Sequence, residues 1–200
     1  DAFSTTLKGS VYPPAGRTPI FALHSVPGGG KSRCLQEIAL KNKAIVDRLP
    51  DELKSLYKGL VPIAVTLNQF SFYMVPPDTN RRDGRALREA TLEVAIRILF
   101  SYLVGNFQPT ASRPRLVNAF EAFKTLLLRR YEAPTSDYEL YTSIFRWIFA
   151  DAKQRNPAVT GLLFVFDEIR RLDPFVDLVL FNLNKALDGT GKLCVRAFST

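Results

Sequence analysis

The chain has 200 residues, with 27 Lys and Arg against 19 Asp and Glu, a formal charge of +8. That length suits one domain, and a composition 46% hydrophobic and 23% charged excludes a mainly disordered chain. The 11 Gly and 13 Pro carry no period, which excludes a collagen-like chain, and no apolar run reaches the roughly 18–20 residues that cross a bilayer.

Residues 1–18, with Pro13, Pro14 and Gly16, read as an irregular lead-in. Ile20 to His24 is a short apolar run closed by Pro27 and three glycines, the pattern of a buried strand. Leu35, Ile38, Ala39, Ala44 and Ile45 recur at helical spacing and predict a helix from Lys31 to about Arg48. Leu60 to Leu67 is the second strand, with Pro62 near its start, where a ladder donor can be spared. Helices are expected over 84–104, 114–131 and 137–153. In the first, Leu92, Ala95, Ile96, Leu99, Tyr102 and Leu103 share a face; in the third, Tyr141, Phe145, Trp147 and Phe149 read as core. Gly161 to Phe166 is a third strand whose unbroken apolarity suits cover on both faces. A helix over 174–187 and a fourth strand from Leu193 to Phe198 follow. This alternation predicts one α/β domain, residues 19–200, with a parallel sheet and a helical insertion at about 69–160 between strands two and three.

The strongest chemical signal lies between the first strand and the first helix. Ser25-Val26-Pro27-Gly28-Gly29-Gly30-Lys31-Ser32 matches the phosphate-binding pattern G-x-x-x-x-G-K-[ST] except at its first position, where Ser25 replaces Gly. Glycines let successive backbone N–H groups curl toward phosphate oxygens, and the following helix adds its dipole and unpaired amides. Lys31 suits the β- and γ-phosphates, and the Ser32 hydroxyl suits one site on Mg²⁺. The second signal is Leu162 to Phe166 followed by Asp167 and Glu168, an apolar strand ending in two carboxylates as in the Walker B element. Asp167 suits Mg²⁺, and Glu168 suits activation of a water. Ser25 leaves open a slow or inactive site.

With its Asp-Glu pair, the chain resembles the additional-strand, catalytic-glutamate division of P-loop NTPases, which includes the AAA+ and STAND groups. That resemblance implies a three-layer P-loop fold with strand order 5-1-4-3-2. It also implies two sensor positions: Asn68, just past strand two and near Glu168, and Ser199 or Thr200 at the end of strand four, near the γ-phosphate. Three segments narrow the likeness: Pro27 to Arg33, Ala64 to Asn68, and Phe164 to Glu168. Over residues 18–200 they resemble the NTPase module of Crinkler effectors and retrotransposon hot spot proteins. There an Arg, here Arg33, often follows the P-loop Ser or Thr; strand two often ends Thr-Phe-Asn, where this chain has Thr66-Leu67-Asn68. The resemblance implies an ATPase coupled to an attached effector domain, commonly nuclease-like, and a nuclear setting.

Other chemistry is poorly served. One histidine and two distant cysteines, Cys34 and Cys194, cannot form a zinc site or a disulfide scaffold, and the cysteines read as reduced thiols of an intracellular fold. His24 reads as a packed strand-end residue, and no G-x-S-x-G elbow supports a serine hydrolase. The positive excess is spread along the chain; Arg81, Arg82, Arg85 and Arg88 are its densest group, and Arg170 and Arg171 follow Glu168. Solvated helix faces outweigh a nucleic-acid patch as their explanation. A chain that opens at Asp1 and stops at the expected sensor strand predicts an excerpted ATPase core. The sequence reading is therefore ATP binding with Mg²⁺-dependent hydrolysis, slow in isolation, driving or gating an attached domain or working as a homo-oligomer, with no membrane. The alternatives are a nucleotide-gated module that does not hydrolyse, and a nucleic-acid-binding domain with a vestigial P-loop.

Overall fold

Strands that are apolar on both faces must be covered on both faces, and two such strands centre this fold. The computed structural model describes residues 21–23, 30–41, 43–67, 73–104, 113–130, 136–189 and 193–199. In chain order these form β1 (Phe21–Leu23), α1 (Lys31–Ala39), α2 (Lys43–Val46), α3 (Asp51–Gly59), β2 (Leu60–Thr66), α4 (Gly84–Val104), α5 (Arg113–Arg130) and α6 (Asp137–Arg155). Next come β3 (Gly161–Asp167), a 3-10 turn (Ile169–Leu172), α7 (Val176–Asp188) and β4 (Leu193–Ser199). The strands pair in parallel in the order β1-β4-β3-β2.

Alternation along β2 and β3 sorts the core into two layers. Ile63, Val65, Leu162, Phe164 and Phe166 pack with Val94 and Ile98 of α4, Phe145 and Ile148 of α6, and Leu183 of α7. On the opposite face, Leu60, Ala64, Leu163 and Val165 pack with Leu35 and Ile38 of α1 and with Leu53 and Tyr57 of α3. Each such fully buried side chain contributes about 1.5–3 kcal/mol before conformational entropy is charged against it. A third cluster joins α4 to α5 through Ile96, Phe100 and Phe120, with the two phenylalanine rings edge to face at 5.2 Å. No helix among the described residues is long and apolar enough to cross a membrane.

Local chemistry sets the element ends. Asp83 Oδ1 accepts from the amides of Arg85 and Ala86, both at 3.0 Å, as α4 begins. Ser136 caps α6 by accepting from the Glu139 amide at 3.2 Å. Pro62 lies in β2, at the end of the described sheet order, where a missing N–H breaks no second ladder.

Three sequence expectations need correction. The helix expected over 31–48 is broken after Ala39: Lys41 turns left-handed with φ 53°, its amide bonds Ile38 O at 3.1 Å, and a separate short α2 follows. Lys41 Nζ then donates to the Lys58 carbonyl at 2.7 Å, closing the end of α3, an element the periodicity reading passed over. On α4 the buried surface extends almost around the helix, and Leu103, expected inside, is 46% exposed. On α6, Tyr141 and Phe145 are core, whereas Trp147 is exposed, its ring 5.8 Å from that of Tyr102 and nearly perpendicular to it.

Candidate functional site

Parallel pairing with aligned registers brings four strand ends to one edge. Leu23 of β1 pairs Ser199 of β4, Phe198 pairs Phe166 of β3, and Asp167 pairs Thr66 of β2. Open parallel sheets hold their ligands outside this carboxyl edge. The chain leaves β1 here, and α1 begins at Lys31 and packs back across Leu163, Val165 and Ala64.

Gly30 stands at the cap of α1 with φ 74° and ψ 17°, left-handed backbone that strains any residue bearing a Cβ. Its carbonyl accepts from the Cys34 amide at 2.9 Å, the first bond of the helix. No acidic residue lies in the first turn of α1, so no carboxylate of that turn offsets the positive end of the helix. Ser32 and Arg33 in that turn are exposed, with Arg33 Nε 3.8 Å from Glu37 Oε1. Of the residues singled out in the sequence, His24, Ser25, Pro27, Gly28, Gly29, Asn68 and Thr200 lie outside the described residues. Ser199 is the last residue of β4, beside β1 at the same edge.

Across the edge, Asp167 ends β3 half-buried, and its carbonyl accepts from the Leu67 amide at 3.4 Å. Glu168 follows with φ 61° and ψ 36° and caps the 3-10 turn. Its Oε2 lies 3.3 Å from Arg171 Nε, three residues on. Arg171 is itself tied in, its carbonyl accepting from the Val75 amide at 3.0 Å. Among the described residues no group of three or more His, Cys, Asp or Glu gathers as a metal cage. A Mg²⁺ held against nucleotide phosphates does not need one: a hydroxyl and one carboxylate are the hard oxygen donors it uses, with phosphate and water completing the shell. The Ser32 and Asp167 donor set fits that chemistry.

Sequence reasoning missed a charged group beside this edge. Arg97 and Glu93, one turn apart on α4, are 2% and 3% exposed. Arg97 Nε donates to Glu93 Oε1 at 2.7 Å, and Nη1 donates to the Thr66 carbonyl at 2.6 Å. Lys124 of α5 donates to Glu93 Oε2 at 2.6 Å. The signal was present: within the apolar run Leu92 to Phe100 the charges are Glu93 and Arg97, spaced four apart, the spacing of a helical ion pair.

The densest arginine group is largely neutralised in place. Arg81 pairs with Asp177 at 2.9 Å, Arg85 with Glu89 at 3.1 Å, and Arg88 lies 3.9 Å from Asp137. Comparison with protein families, curated proteins and solved structures finds no match to this chain.

Proposed function

We propose that this chain is a P-loop NTPase domain of the catalytic-glutamate division that binds ATP with Mg²⁺, hydrolyses it slowly, and drives or gates an attached effector domain. The observation that carries the reading is the shared sheet edge: the left-handed Gly30 and the start of α1 follow β1 there, and Asp167 ends β3 two strands away with Glu168 next in the chain. In this reading the amides around Gly30 bind phosphate oxygens, and the Lys31 ammonium neutralises the β- and γ-phosphates. Ser32 and Asp167 hold Mg²⁺, which when bound offsets charge developing on the transferred phosphoryl oxygens. The Glu168 carboxylate orients the attacking water and takes its proton.

Titration with a fluorescent ATP analogue in the presence of Mg²⁺ tests the reading. Wild type binds, and Lys31→Ala binds about 10–100-fold more weakly, the effect of losing one charge-assisted contact. Glu168→Gln keeps the affinity and loses about 10²–10⁴ in phosphate release. Equal affinity in wild type and the Lys31 variant would sink the assignment. One observation favours a second reading, nucleotide gating without turnover: the Glu168 carboxylate is engaged by Arg171. Saturable ATP binding with no phosphate release above the Glu168→Gln level would select it.

A further inference from the structure

Arg97 is the largest of the fully buried side chains among the described residues, and the chemistry proposed above makes no use of it. Burial disfavours its charged form, an effect opposed by Glu93. The Glu93 carboxylate accepts from two cations, and Phe120 offers its ring face to the guanidinium at 4.8 Å. Three charges drawn into or against a core cost desolvation, and well-packed apolar side chains of similar volume commonly serve stability as well or better. Where such a group persists, holding a particular geometry is its best-attested role.

The geometry held is a single peptide plane. Arg97 Nη1 donates to the carbonyl of Thr66, and the N–H of the same peptide unit, that of Leu67, donates to the carbonyl of Asp167. Carbonyl and N–H of one trans peptide are rigidly coplanar and point in opposite directions. Fixing one therefore aims the other. The Leu67 bond is long at 3.4 Å, so its survival depends on how well that plane is aimed.

We infer that Arg97 is a positioning residue for the Asp167 strand end, and that Lys124 sets Arg97 through Glu93, so that helix α5 is mechanically coupled to the carboxyl edge of the sheet. The Lys124 ammonium reaches Glu93 from α5, a helix that joins α4 through Phe120. A partner or attached domain that displaces α5 withdraws Lys124, loosens Glu93, and frees Arg97 to release the Thr66–Leu67 peptide. The consequence of this coupling for ATP rests on the function proposed above; the coupling itself does not.

Amide hydrogen exchange resolved by NMR tests it in the full chain. The triple variant Glu93→Met, Arg97→Met, Lys124→Met keeps the volume and leaves no unpaired charge. The expected result is a cooperative melt close to wild type with the Leu67 amide exchanging about tenfold faster, and Ile63 and Val65 unchanged. Leu67 protected as in wild type, or acceleration shared equally along β2, overturns the inference. Should the triple variant fail to fold, Lys124→Met alone, which leaves Arg97 and Glu93 paired, gives about threefold acceleration confined to Leu67, and its absence overturns the inference equally. A parallel measurement separates this proposal from the ATPase reading: the Mg²⁺ concentration for half-maximal ATP-analogue binding rises in the variants, while Mg²⁺-free binding does not change. Wild type that ignores the analogue removes the ATPase reading, with the Leu67 result still deciding the coupling.

Discussion

Glu168 shows how much one residue's backbone can carry. Non-glycine residues rarely take positive φ, and among the described residues Glu168 and Lys41 do so. Lys41 is explained by the helix end it forms. Glu168 lies between a buried strand and a 3-10 turn, and such strain, about 1–3 kcal/mol, concentrates where side-chain direction matters more than stability. The sequence showed an Asp-Glu pair after an apolar strand with two arginines close behind; the left-handed turn at Glu168 was not legible, because no glycine or asparagine marks the position. Cys34 offers a separate check on the first turns of α1. It is a free thiol, and desolvation, aided by the Glu37 carboxylate, pushes its pKa above the ordinary 9.0. Thiolate is the form that alkylates. In a Cys194→Ser background the iodoacetamide rate at Cys34 should therefore keep climbing beyond pH 9. A plateau at or below that pH would show that α1 is not packed as described.

At the scale of elements, what could be read depended on the contrast between apolar and polar positions. Strand β3 and helix α6 are plain in the sequence because each has a long pattern and clear stops, Pro157 before one and Ser136 before the other. Helix α3 was passed over although its signals exist: Pro50 at the cap, Asp51 and Glu52 in the first turn, Lys58 in the last, and Leu53 and Tyr57 buried. Nine residues between a broken helix and a strand gave too short a period to stand out. The junction from α3 to β2 is sterically tight. Gly59 donates no side chain there, and a Cβ would sit 2.6 Å from Thr160 Oγ1 and 2.9 Å from the Ala158 carbonyl. Backbone yields less readily than a rotamer, so the clash outweighs the roughly 0.5–1 kcal/mol that Ala gains over Gly in a helix. Gly59→Ala should lose about 1–2 kcal/mol net, lowering the melting temperature by about 3–6 °C. An unchanged or raised midpoint in a thermal melt would mean that the α3–β2 junction is looser than described.

For the whole molecule, strand order and helix placement decide what lies at the functional edge. Periodicity alone gave the strands and their alternation with helices. It could not show that α4 is buried on nearly every side, because a helix sandwiched between a sheet and further helices loses the one-sided pattern on which such readings depend. Nor could charge counting show how the arginines are spent, since Asp177 lies ninety-six positions from Arg81. The +8 excess is therefore weaker as a guide to partners than its size suggests.

Pro62 has a consequence for solubility. Strand β2 ends the described sheet order, and α4 already takes up the later part of its outward row, where the Ala64 amide donates to Ser101 Oγ at 3.0 Å and the Thr66 carbonyl accepts from Arg97. A strand from another molecule finds an open row only at the exposed start of β2, around Pro62. Pro62, third of the seven residues of β2, removes an N–H from that short open stretch, and its ring crowds the approach. Native sheets often guard an open margin in this way against runaway association. Pro62→Val, favourable for the strand itself, should leave secondary structure intact and shift sedimentation velocity profiles toward dimers and larger species as concentration rises. A variant that stays at the wild-type sedimentation coefficient at every concentration would show that the cover from α4 closes this margin without the proline.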